Sequence, residues 1–132
     1  MTAVGLAVVR ICLDQVSDPK VKEALEAALD DGWAWMQQHF AVASNPGAQA
    51  PPWAHYYYLY GLERAGVFCG YRQVGDHDWY VEGAEYLLAQ QAESGAWRAG
   101  QEGSDADTCF AILFLKRAST GFVHGYAVGP AR

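Results

Sequence analysis

Three of the five helical segments legible in this chain have almost no polar face, and that limits the possible folds more than any other feature. "TAVGLAVVRICL" (residues 2–13) carries Arg10 alone among apolar residues. "WAHYYYLYGLERAG" (53–66) is crowded with rings on every side until Glu63 and Arg64. "DTCFAILFLKRA" (107–118) holds seven consecutive apolar residues, Cys109 to Leu115. Helices that are apolar all round are buried all round. The two remaining segments are two-faced. The second opens with Asp18-Pro19, an N-cap followed by Pro at the first helical position. It sets Val21, Leu25, Ala28, Leu29, Gly32, Trp33, Met36 and Phe40 against Lys22, Glu23, Glu26, Asp30 and Gln37. The fourth starts after Asp78 as N-cap and runs to about Gln91, opposing Tyr80, Ala84, Leu87 and Leu88 to Glu82, Glu85 and Gln90. The order buried, amphipathic, buried, amphipathic, buried predicts an inner row of helices covered by an outer row.

The chain also repeats itself. Gly32-x-x-Trp35-Met36 and Gly83-x-x-Tyr86-Leu87 lie 51 positions apart, and "GLERA" (61–65) and "FLKRA" (114–118) lie 53 apart. A unit is then one outer and one inner helix, and such units stack because one alone cannot cover its apolar surface. "AVASNPGAQAPP" (41–52) and "SGAWRAGQEGSDA" (94–106) read as the connections. Residues 1–118 form the expected helical-repeat domain, and 119–132 an irregular Gly-rich tail.

Composition narrows the function. The chain is 52 % hydrophobic, 18 % charged and 14 % aromatic, which suits one globular domain and argues against disorder. The net charge is −6, and no basic cluster exceeds Lys116-Arg117, so nucleic acid and anionic membranes are poor partners. No apolar run reaches the roughly 18 residues of a membrane span. The N-terminal stretch has neither the basic start nor the cleavage site of a signal peptide. Cys12, Cys69 and Cys109 sit in apolar surroundings and are expected to be buried free thiols of a cytoplasmic protein. No Ser/His/Asp set, phosphate loop or dinucleotide fingerprint is present.

Gly83, Tyr86, Leu87, Gln91, Gly95 and Trp97 follow the spacing G-x-x-aromatic-aliphatic-x-x-x-Q-x-x-x-G-x-W. This resembles the QW motif of the terpenoid cyclase and protein prenyltransferase superfamily, with Glu82 where a Lys or Arg is usual. "HDWYVEGAEYLLAQQAESGAW...DTCFAILFLKRA" is similar to the prenyltransferase/squalene oxidase repeat, and "YYYLYGLERAG" looks like the preceding inner helix. The resemblance touches most of residues 20–118. It implies an all-α, α/α-toroid-like helical repeat, here a partial toroid of about five helices in alternating inner and outer layers. In that family the motif's Gln and Trp tie the end of an outer helix to its neighbours. An amide can satisfy orphan backbone groups there, and an indole can cover them.

The family's chemistry does not transfer with the fold. The cyclase D-x-D-D-T motif, laid on Ser104-Asp105-Ala106-Asp107-Thr108, puts Ala106 at the acid, so the proton donor is missing. Asp107 reads as an N-cap of the last helix, with Ser104 as an alternative. The prenyltransferase zinc set would draw on Asp107 and Cys109, with His55 as third ligand. His55 lies N-terminal to them instead of C-terminal and one position out of register. The expectation is no bound metal and no cofactor. Trp53, Tyr56, Tyr57, Tyr58 and Tyr60 have two readings. They either fill space between helix layers or line an apolar cavity, as rings do around carbocations in terpenoid cyclases.

A closed toroid of the family takes about six helix pairs, and 132 residues supply two and a half. The chain is therefore expected to be a C-terminal part of a longer array or a short relative, with uncovered apolar edges at Val4, Val8 and Ile11 and at Ile112–Leu115. The expected function is a non-catalytic binding or scaffold domain with an aromatic-lined apolar ligand cavity. The alternative is an isoprenoid-acting enzyme or a fragment of one. Expected partners are a second copy or a missing repeat half, and an apolar small molecule or isoprenoid.

Overall fold

The computed structural model describes residues 2–47, 54–99 and 105–117. Within them the protein is all-α: α1 (Thr2–Leu13), α2 (Pro19–His39), α3 (Ala54–Cys69), α4 (Trp79–Gln90) and α5 (Asp105–Leu115). No strand occurs among the described residues, only an isolated bridge between Val74 and His77. Trp53 and the tail at 119–132 lie outside the described residues.

Local chemistry sets the helix starts. Asp18 stays extended, and its carboxylate accepts from the backbone N–H groups of Lys20 (2.8 Å) and Val21 (3.2 Å), with Pro19 behind it. Asp78 does the same for Tyr80 (3.2 Å) and Val81 (3.0 Å). Each cap satisfies donors that the first turn leaves open.

α3 is the hub. It packs against α1 on the one hand and α5 on the other, while α2 packs on α1 and α4 contacts both α3 and α5. Asp107 acts on His55 and Tyr56 at the start of α3, and Phe110 meets the rings of Tyr57 and Tyr60 further along, so α3 and α5 run side by side in the same direction. α4 runs back against them. Its first residue, Trp79, lies against Gly66, and Tyr86 near its end meets His55 at the start of α3. Met36, Leu59, Leu62, Trp79, Leu87 and Phe114 are the largest of the fully enclosed apolar side chains between these elements. Each contributes about 1.5–3 kcal/mol through burial. Close approach at α4–α5 depends on Gly83, where an added Cβ would sit 2.4 Å from Phe114 Cζ.

The expected uncovered edges are found at Val8, Ile11 and Ile112, but Val4 packs against Gly61 of α3 and Phe114 is enclosed. α3 is enclosed, but α1 leaves Val8 (52 %) and Ile11 (45 %) exposed, and α5 leaves Ile112 (44 %) exposed. The difference follows from position, since α3 is flanked on two sides and α1 and α5 end the row. Cys12 and Cys109 share those uncovered faces and are exposed, so only Cys69, half-buried, keeps part of the enclosure expected of all three thiols. On α2 the apolar stripe outruns its cover. The helix has 21 residues against 12 in α1, and Val21 and Ala28 face solvent. Leu88 on α4 is exposed while Leu87 beside it is enclosed, because consecutive helical residues point about 100° apart. α5 begins two residues earlier than the pattern suggests, which places Asp107 inside its first turn and rules it out as the N-cap.

No helix among the described residues is long and apolar enough to cross a membrane.

Candidate functional site

The end of α4, the following loop and the start of α5 are joined through Trp97. Its backbone N–H donates to Thr108 Oγ1 at 3.0 Å, and that hydroxyl donates to the Trp97 carbonyl at 3.0 Å. The indole N–H donates to the Leu87 carbonyl at 2.7 Å, one of the acceptors that the last turn of a helix leaves open. Gln91, at the C-cap, donates its amide to the Gly95 carbonyl at 3.0 Å. Gly95 has φ +82°, a left-handed conformation that glycine adopts without the Cβ penalty. The Gln91 contact is therefore within the loop, while Trp97 connects two helices. Arg98 reaches Asp105 at 3.3 Å, and the Asp107 carboxylate accepts the Ala99 N–H at 3.0 Å.

Beside this strap a set of titratable side chains converges. Asp107 is 2 % exposed. It exerts its charge on His55 and on the Tyr56 phenol, and Tyr86 adds to the effect on Tyr56. His55 is ringed by Tyr56, Tyr58 and Tyr86, with centroids 5.6, 6.4 and 5.3 Å away. Both of its ring nitrogens are buried without a hydrogen-bond partner. Burial holds the imidazole below its usual pKa, opposed by the nearby Val42 backbone, which stops short of hydrogen-bond geometry, and by Asp107. Burial raises the phenols of Tyr56, Tyr58 and Tyr86, so all three stay neutral donors near pH 7. A neutral imidazole, phenol hydroxyls and one carboxylate can hold a polar ligand group or move a proton between them.

Of the five rings considered for a cavity, the four that are described, Tyr56, Tyr57, Tyr58 and Tyr60, do not share one face. Tyr56 faces the His55 cluster, and Tyr58 donates its hydroxyl to the Ala41 carbonyl at 2.9 Å. Tyr57 and Tyr60 pack on Phe110, and Tyr60 also accepts from Arg64 at 2.6 Å. Of the metal candidates, Asp107 and His55 are close enough to interact, while Cys109 is exposed to solvent. No group of three ligating side chains that could hold a metal occurs among the described residues.

Sequence reasoning missed two features. Tyr86 enters the cluster as a motif aromatic, and nothing in its spacing marks His55 as its neighbour. Glu63, read as the start of a polar end on α3, is fully buried and takes part in an interaction. The available signal was its position among Gly61, Ala65 and Gly66, small residues that let neighbouring helices close over it.

The chain matches no family model, and neither curated proteins nor solved structures give a significant match.

Proposed function

We infer that this protein is a non-catalytic binding or scaffold domain of the prenyltransferase/squalene-cyclase repeat type, built as a partial α/α toroid and completed by a second copy or a further repeat set. The observation that carries the reading is the pair of uncovered apolar edges. Val8 and Ile11 on α1 and Ile112 on α5 lie at the two ends of the row α1–α3–α5. Exposed apolar surface of this kind marks association. The Trp97 link between α4 and α5, at QW spacing, supports the family assignment. Ala106 at the position of a cyclase acid and Cys109 turned to solvent both count against catalysis.

The enzyme alternative is tested by metal content and turnover. Protein purified without chelator is expected to hold less than one zinc per chain and to leave squalene and farnesyl diphosphate unchanged. One tightly held zinc per chain, lost in His55→Ala or Cys109→Ala, would make prenyl transfer the better reading. Co-purifying lipid in an inert protein would favour an apolar cavity.

A further inference from the structure

Away from the His55 cluster, α2 and the turn that follows α3 enclose a groove of about 610 Å³. That volume is within the roughly 300–1,000 Å³ range of small-molecule sites. Trp33 forms its floor and Tyr71 one wall, their rings edge to face at 4.8 Å and 86°. Asp30 and Gln37 project from α2, and Arg72 and Gln73 from the turn.

Two properties separate this groove from ordinary surface. The first is that its wall is held in place. The Tyr71 N–H donates to the Gly66 carbonyl (2.9 Å), the Trp79 indole donates to the Tyr71 carbonyl (2.8 Å), and Val74 and His77 exchange backbone hydrogen bonds at 2.9 and 3.2 Å. Phe40 at the end of α2 stacks on His77 at 4.5 Å, tying the turn to the helix. A preformed wall lowers the ordering cost of binding. The second is that its polar groups are uncommitted. Arg10, Arg64, Arg98 and Arg117 all engage a carboxylate, a hydroxyl or a ring. Among the described residues, the side chains of Arg72, Asp30, Gln37 and Gln73 make no intramolecular hydrogen bond or ion pair.

We propose that this groove is a carbohydrate-binding site for a neutral mono- or disaccharide. One carboxylate and one guanidinium cancel in charge, which disfavours phosphates and other anions. Two amides, a carboxylate and a guanidinium are all two-pronged groups that pair with vicinal hydroxyls. The half-exposed Tyr71 ring offers a flat apolar face to the C–H side of a pyranose. The site is independent of the aromatic face of α3 and of the proposed assembly edges.

The test is titration of the full chain with methyl α-glucoside, cellobiose and N,N′-diacetylchitobiose, read by calorimetry and tryptophan fluorescence. Glycylglycine and inorganic phosphate serve as probes of opposite chemistry. At least one saccharide is expected to bind with a Kd of about 1 mM or tighter. Tyr71→Ala and Gln73→Ala should each weaken it by roughly tenfold, while Tyr60→Ala leaves it unchanged. Gln73→Ala lies on an exposed turn and keeps the test sound if Tyr71→Ala fails to fold. Binding of glycylglycine or phosphate without any saccharide would overturn the ligand class. Absence of all binding, or saccharide affinity equal in Gln73→Ala and the parent, would overturn the site.

Discussion

The Trp97 indole N–H donates to the Leu87 carbonyl at 2.7 Å from a position only 4 % exposed, so one side chain closes the end of α4 while its own backbone holds Thr108 of α5. Removing the ring opens a cavity and frees a buried acceptor. Trp97→Ala is expected to cost about 3–5 kcal/mol. Trp97→Phe, which keeps most of the volume and loses the donor, should cost about 1–3 kcal/mol. Urea denaturation measures both, and unchanged midpoints would remove the clamp from the account.

Gly83 supplies the second constraint on the same helix pair. An alanine Cβ there meets the enclosed Phe114 ring at 2.4 Å. Gly83→Ala should destabilise by about 1–3 kcal/mol through overpacking, although alanine favours helix. A more stable Gly83→Ala protein would mean that α4 and α5 are not in contact there.

His55 makes stability depend on pH. Its imidazole is held below the ordinary value of 6.5, so between those two values the unfolded chain binds more protons than the folded one. Stability is undiminished above 6.5, falls as pH drops through the window down to the lowered folded value, and loses nothing further from this group below it. His55→Phe removes the titration. The melting-temperature difference between parent and variant should grow in favour of the variant from about pH 7.5 to about pH 5. A difference constant with pH would show that His55 charges freely in the fold.

The helix pattern was legible in sequence where its cause is local. Asp18-Pro19 and Asp78 announce the starts of α2 and α4 because a cap acts within three residues. What depends on neighbours was not. Leu88 belongs to the apolar pattern of α4 yet faces solvent, because the described helices that contact α4 lie on the side of Leu87. Asp107 has cap chemistry, but the helix starts at Asp105 and turns its carboxylate onto the Ala99 N–H. The His55 cluster joins side chains of α3 to Tyr86 of α4 and Asp107 of α5, a coincidence of three helices that no spacing along the chain encodes.

Thiol accessibility follows from the same geometry. Cys12 and Cys109 are exposed, whereas burial raises the Cys69 thiol against the opposing influence of Trp33 and Arg10. Alkylation of the native protein at mild pH should modify Cys12 and Cys109 first and Cys69 only slowly, since the thiolate is the reacting form. Mass spectrometry of the labelled peptides resolves the order. Protection of Cys12 and Cys109 in a concentrated sample, lost on dilution, would place both at an interface between copies.

Association through the two uncovered edges is the claim on which the functional reading rests, and light scattering across a dilution series tests it most directly. A mass of twice the 14.4 kDa chain or more is expected at high concentration, reduced to one chain in Val8→Glu and in Ile112→Glu without loss of helix content. A 14.4 kDa monomer at every concentration, with both variants behaving like the parent, would contradict it.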